Sequence, residues 1–267
     1  MIRVWLPSLF LVTWILSALT SPVLPLSPNE VQLPKVLAGP MADAWFGHDE
    51  LGRPLLDRVV AGARTSLLVA LSVVSISIVA GTLIGMISGW LGGVWDHVMV
   101  RIIDVFLAFP GILLAIALAG ILGPGIENVV FALAAVGWVG FARLARAQTL
   151  SVKHREHVLA AVAMGSGTGR ILVRHVLPLI AAPLIVEATF GVAGIIVAEA
   201  GLSFLGLGVQ PPEASWGSVI REGTRYMLVA PHLVLIPSLV LMLVVLSVNL
   251  LGDALRDFLD VRAGEAP

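Results

Sequence analysis

Few side chains in this sequence can do chemistry, and they are widely spaced. Glu156 opens a stretch in which Leu159-Ala160-Ala161 is followed, four residues on, by Gly165 and then by His175-Val176-Leu177-Pro178. Residues 156–164 read as a short helix with an acid at its start. The run Gly165-Ser166-Gly167-Thr168-Gly169 stops it, because glycine takes the left-handed C-terminal conformation without strain. A second helix is expected through Arg170 and Arg174 into the apolar segment beyond, with Pro183 in the second turn of that segment. A small-residue helix ended by such a turn suits a groove on another protein. The same composition also fits an ordinary basic interfacial loop.

Two acids stand out in apolar surroundings. Glu187 lies about eight residues, roughly 12 Å, into its segment. At that depth an ionisable group is expensive unless it faces a cavity or a partner. It therefore either lines a polar path or packs, hydrogen-bonded, against another subunit. Glu199 is nearer the end of the segment, cheaper to solvate, and is read as facing the path or a docking protein. His48-Asp49-Glu50 offers metal-ligand types, but adjacent residues rarely converge on one ion, so the expectation is a polar turn and no metal. Arg101 and Asp104 are expected to pair near the membrane interface.

No set of residues supports catalysis. The two lysines, Lys35 after Leu33-Pro34 and Lys153 after Ser151-Val152, do not follow the glycine-rich turn through which a phosphate-loop lysine reaches the β- and γ-phosphates. Nucleophile-elbow, zinc-protease and dinucleotide fingerprints are missing as well. Cysteine is absent, which removes disulfides and thiolate chemistry. The chain is read as a non-enzyme with no cofactor; if ATP drives its work, another chain binds the nucleotide.

The elements that position these residues are membrane spans. Hydrophobic residues make up 58% of the 267 positions and charged residues 12%, with a mean hydropathy of +1.00, too few charges for a soluble surface of this size. A hydrocarbon core about 30 Å thick needs roughly 20 apolar residues in a helix. Six stretches meet or approach that length: 4–24, 66–90, 98–122, 128–144, 179–200 and 231–251. The fold class is therefore all-α, a polytopic membrane helical bundle of about six spans in one domain, because in lipid each segment must bond its own backbone. The first stretch lacks a small-residue cleavage site and runs into Pro22, Pro25 and Pro28, so it reads as an uncleaved span.

Basic residues orient the bundle. Arg143, Arg146, Lys153, Arg155, Arg170 and Arg174 flank the connection between spans four and five, which is expected in the cytoplasm with Arg3, Arg101, Arg256 and Arg262. Segment 27–65 then lies outside, although it carries Lys35, Arg53, Arg58 and Arg64. Its acids Glu30, Asp43, Asp49, Glu50 and Asp57 contribute little to the rule, so the excess of charge there stands in tension with the orientation. Gly81, Gly85, Gly89 and Gly93 form a four-residue ladder, a packing face for an unidentified helix. Trp45, Trp90, Trp95 and Trp216 read as interface anchors. Nothing in the charge distribution suggests nucleic acid.

The loop resembles the EAA loop of ABC-importer permeases, whose pattern is E-A-A, three residues, Gly, nine residues, then I-x-L-P. Ala160, Ala161, Gly165, Leu177 and Pro178 match at that spacing, while Leu159 replaces the usual Glu and His175 the usual Ile. Further matches follow in chain order. Residues Phe46 to Arg53 with Gly62-Ala63-Arg64 look like the segment before span two of the dipeptide/oligopeptide/nickel permeases, with His48 and Pro54 departing from the usual Thr and Asp. Asp104 to Pro110, Glu199 to Gly208, Pro211 to Trp216-Gly217, and Asn249 to Asp257 are similar to signatures of the same family.

This resemblance implies a type I ABC-importer permease, of the kind that forms the second permease of each pair. It implies a homologous partner permease in a heterodimer, two ATP-binding subunits, an extracytoplasmic solute-binding protein, and a bacterial or archaeal cytoplasmic membrane. ATPase coupling then falls to Glu156, Ala160, Ala161, Gly165, His175, Leu177 and Pro178 within 151–178, and the path to Glu187 and Glu199. Cargo would be a peptide, glutathione or a nickel chelate. The alternative is an ion-coupled secondary carrier, which favours inverted repeats and midplane charges; no repeat is evident, and a neighbouring gene for a phosphate-loop ATPase separates the two readings.

Overall fold

Proline and glycine set where the helices stop. The computed structural model describes residues 2–42 and 44–264, and side chains from Val4 to Leu259 apart from Asp43. The charge readings at Asp43, Arg3 and Arg262 therefore fall outside what is described. Helix α1 spans Ile2–Thr20 and ends before Pro22, Pro25 and Pro28, which lack the N–H to continue it. The expected first span, 4–24, is accordingly shorter. Its apolar part is Val4–Thr20, roughly 25 Å at the helical rise. Turns, a 3₁₀ turn at Leu33–Lys35 and isolated bridges at Met41–Ala44 and His48–Pro54 lead to α2, Leu55–Leu91.

The expected third span, 98–122, is not one helix. It divides into α3, Gly93–Leu107, and α4, Gly111–Leu122, bent by 83°. Pro110 has no N–H for the helical ladder and disfavours helical geometry at Phe109, so the chain turns there. Helix α5, Ile126–Val152, outruns the expected 128–144 by two turns. Next come α6, Glu156–Ala163, and α7, Thr168–Ile171. The latter passes through a π turn at Leu172–Val176 into α8, Leu177–Phe204, as one apolar stretch, Thr168–Phe204. Helices α9, Trp216–Thr224, and α10, His232–Gly264, complete the order.

Among the described residues four helices are long and apolar enough to cross a membrane, or five if the bent α3–α4 pair counts as one span. Much of the basic connection expected as a loop is helical: Arg143 and Arg146 lie on α5, Arg170 on α7 and Arg174 in the π turn. Among the described residues no strand forms.

The chain comprises two compact units. The first draws on the chain through Ser72, Ile116–Ala132 and Val192–Leu251. Along α2, Leu55, Val59, Ala63, Leu67 and Ala70 recur at helical spacing and bury one stripe. The stripe shares a core with Trp14 and Ala18 of α1, Ile196 of α8, and Val244 and Val248 of α10. Short α9 is packed into this core. Trp216 is fully buried, donates its indole N–H to the Val59 carbonyl at 2.9 Å and lies 6.0 Å from the Trp14 ring. It is not the interface anchor its position near a span suggested. Gly217 and Gly223 let α9 approach Ala200 and Leu233 so closely that a Cβ at either site would clash. A capping box of Ser215 and Ser218 starts the helix.

The second unit holds Val73–Ala115, Leu133–Gly191 and the chain from Gly252. Here the glycine ladder finds its partner, α5. A Cβ at Gly81 would meet the Trp138 carbonyl, at Gly85 the Ala142 carbonyl, and at Gly89 the Arg146 carbonyl at 2.9 Å. Successive glycines one turn apart thus bring two backbones together. Gly93 is not a rung: α2 ends at Leu91, and Gly92 and Gly93 take φ of +65° and +58° in the turn to α3. Phe106 meets Trp138 edge-on at 5.5 Å beside Ile103, Val139 and Ala142.

Candidate functional site

The short helix α6 has one face packed and one face open. Val158 and Ala161, three residues apart, are buried, and the helix rests on α7 and the π turn. Leu159, Val162 and Met164 are 49%, 46% and 78% exposed, so among the described residues the helix presents apolar side chains that are left largely open. Its end is tightly specified. Gly165 takes φ of +77°, its N–H donates to the Val162 carbonyl at 2.9 Å, and the Ser166 N–H donates to the Ala161 carbonyl at 3.1 Å. These two bonds are those of a Schellman cap with glycine at its left-handed position.

Past the cap, the Leu177 N–H reaches back to the Leu172 carbonyl, the widened turn that precedes Pro178. Pro178 has no N–H to donate, and a π turn locally relaxes the register that a proline would otherwise break. Glu156, Ala160, Gly165 and Pro178 are exposed, His175 and Leu177 half-buried, and Ala161 buried. The loop's base is tied to the end of α2 and the start of α3. Arg146 grips Asp96 with two bonds of 2.6 Å, Ser88 donates to Asp96 at 2.7 Å, and the Lys153 ammonium donates to the Gly89 carbonyl at 3.3 Å. The pair expected between Arg101 and Asp104 does not form; both are exposed on α3, and the ion pair that does form uses Asp96 and Arg146.

The two intramembrane acids part company. Glu187 is exposed on α8 beside Gly140 of α5. Glu199 is 1% exposed and does not face outward as its place near the segment end suggested. Ser66 and Ser203 donate to its two carboxylate oxygens at 3.0 and 2.7 Å. Two hydroxyls within reach make burial the cheaper arrangement, because they replace the water that the outer interface would have supplied.

A second polar cluster joins the segment before α2 to α9. Arg53 bonds Asp49 at 2.6 Å, Glu50 at 3.0 Å and Glu222 at 3.1 Å, while Arg58 bonds Glu222 at 2.7 Å. Burial pushes the Glu50 carboxyl above its usual range. Asp49, Glu50 and Glu222 bring carboxylate oxygens within 4.8 Å of one another, but the two guanidiniums already supply the counter-charge. The expected polar turn at His48-Asp49-Glu50 is thus one half of a buried ion-pair network. The other half, Glu222, carried no local sequence signal: its partners are more than 160 positions away.

Apolar helices that leave most of their surface open, with a capped helix beside them presenting an uncovered apolar face, define a membrane subunit that works within a larger assembly. Only 22% of the most apolar window of Thr168–Phe204 and 28% of that of α10 are buried inside the chain. The chain belongs to the family of binding-protein-dependent transport system inner membrane components, whose model matches residues 81–264. It is an ABC-importer permease of the peptide type, as the loop and the further matched segments together implied. It is 42% identical over 253 residues to a dipeptide transport system permease protein of Alkalihalophilus pseudofirmus, covering 94% of this chain and 83% of that one. It is 43% identical over 222 residues to a glutathione transport system permease protein of Pectobacterium atrosepticum, covering 83% and 74%. A counterpart from Escherichia coli is 45% identical over 222 residues, covering 83% and 73%. Its fold is similar to that of a chain in the inward-facing MetNI methionine ABC transporter, with a TM-score of 0.58 at 19% identity over 76% of this chain and 97% of that one. The secondary-carrier alternative finds no support in these relationships.

Proposed function

We propose that this chain is one half of a heterodimeric permease that imports small peptides, dipeptides and glutathione foremost, using ATP hydrolysed on two separate subunits. The observation that carries this reading is the uncovered apolar face of α6, Leu159 and Val162 with Met164, held at a fixed angle by the Gly165 cap. A rigid helix with two or three apolar anchors suits a groove on another protein. Closure of the ATP-binding subunits then moves the helix, and through α7 and the π turn moves α8. Of the two acids, Glu187 is the one assigned to the path, being exposed on α8. Glu199 serves as an internal clasp between α2 and α8. The cargo class follows that of the dipeptide and glutathione permeases the chain resembles; nickel chelates have no such support. A solute-binding protein on the outer face delivers the cargo.

The test is reconstitution. Purified alone into liposomes, the chain is expected neither to hydrolyse ATP nor to move peptide. With its partner permease, the ATP-binding subunits and the binding protein it is expected to do both. ATPase activity from a verified single-chain preparation overturns the reading.

A further inference from the structure

Beside the first core, a hollow of about 480 Å³ opens between the end of α1, the start of α2 and the segment before α9. That volume is in the range of small-molecule sites. Leu24, Leu26, Leu68 and Ile126 give it apolar walls. Most of its polar groups are already engaged. Thr65 donates to the Ala214 carbonyl at 2.9 Å. Asn29, with its amide turned to satisfy both ends, donates to the Pro212 carbonyl at 2.6 Å. The Ser27 N–H holds the rim to Asp57 at 2.8 Å.

Two charges remain. Arg64 and Glu213 both line the hollow, both are exposed, and among the described residues neither side chain has a hydrogen-bond or ion-pair partner. They do not pair with each other. This sets Arg64 apart from Arg53 and Arg58, whose charges are answered by Asp49, Glu50 and Glu222. A guanidinium offers a forked set of donors that matches a carboxylate, and a carboxylate accepts from an ammonium. One hollow lined by a free group of each sign and by apolar side chains has the chemistry of a zwitterion site.

We infer that this hollow is an entry subsite for the free termini of a short peptide, Arg64 taking the carboxylate and Glu213 the ammonium, on the face that the loop charges assign to the outside. The inference rests on the peptide-importer reading and adds to it a contact made by the permease itself, in addition to selection by a binding protein. The apolar walls accept side chains without distinguishing them, so the subsite reads termini and not sequence.

Binding of radiolabelled dialanine to the assembled importer, purified with its partner subunits but without the binding protein, tests it by equilibrium dialysis. N-acetyl-dialanine and dialanine amide serve as competitors. Each blocked peptide is expected to compete about tenfold or more less well than dialanine, the loss of one charge-assisted contact. Arg64→Gln is expected to abolish discrimination against the amide only, Glu213→Gln against the acetylated peptide only, and Arg64→Lys to restore part of the first. Co-purification of the partner subunits shows that each variant still assembles. Uptake of dialanine by the unmodified importer with its binding protein is run in parallel. If uptake occurs but dialanine does not bind the importer alone, or the variants discriminate as the parent does, the subsite is overturned and the importer reading stands. If the complete importer takes up no dialanine, the subsite falls together with the dipeptide part of the importer reading.

Discussion

The Arg58 guanidinium, 1% exposed in its side chain, bonds the Glu222 carboxylate at 2.7 Å and so fastens the first turn of α2 to α9. Arg53 reaches the same carboxylate at 3.1 Å. Two of the four basic residues in the segment expected outside are therefore paired with acids inside the fold.

Removing that carboxylate exposes the dependence. Glu222→Ala leaves a buried guanidinium short of its nearest partner, a change expected to destabilise by about 3 kcal/mol. The readout is the thermal unfolding midpoint of the detergent-purified assembly, together with proteolysis within the segment before α2. A midpoint and a cleavage pattern equal to those of the parent would show that the network does not hold the segment. Glu222→Gln keeps the shape and some hydrogen bonding, and is expected to fall between.

Gly165 carries the second prediction. At φ of +77° a branched side chain clashes with the backbone, although the space around the position is empty. Gly165→Val is expected to strain the cap by about 1 kcal/mol or more. Expression and membrane insertion should survive, since the spans are untouched. Uptake should fail and the ATP-binding subunits should co-purify weakly. Gly165→Ala should be milder. A Val variant that assembles and transports like the parent removes the loop from its coupling role.

Packing of α2 on α5 supplies the third. A Cβ at Gly85 would press on the Ala142 carbonyl and come within 2.9 Å of the Ala145 Cβ, so Gly85→Val is expected to cost about 1–3 kcal/mol through overpacking. Lower yield of folded protein and an earlier thermal transition are the signs to measure. Gly194→Val, on α8 with an ordinary helical φ and open space around it, should leave this packing unchanged. Equal packing losses at the two positions would contradict the assignment of the ladder to α5.

Orientation is the fourth. The sequence contains no cysteine, so single introduced cysteines report without a background. Lys153→Cys and Asp253→Cys should react only with reagents that reach the cytoplasm, and Asn29→Cys and Glu213→Cys with impermeant reagents from outside. Outside labelling at position 153 reverses the orientation.

What was legible beforehand is what short range decides. The capped helix of 156–164, the stop at Gly165 and the continuation through Arg170 and Arg174 follow from backbone geometry within a few residues, and each forms. Long apolar runs announced spans for a similar reason, because lipid tests each segment separately. The bend at Pro110 was also within local reach, yet the apolar run across it masked the break. Other features needed the folded chain. Glu222 meets Arg53 from 169 positions away, and charge complementarity at that separation has no periodicity to betray it. Trp216 near a span has the composition of an interface anchor, and only the packing of α9 against Val59 and Trp14 makes it core. Glu199 and Glu187 are both acids on one apolar helix, twelve positions apart, and their depth along the chain, which favoured solvent for Glu199, points the wrong way. One faces two serines and is enclosed while the other reaches the surface, because burial depends on what the other helices bring alongside, which is a property of the tertiary structure.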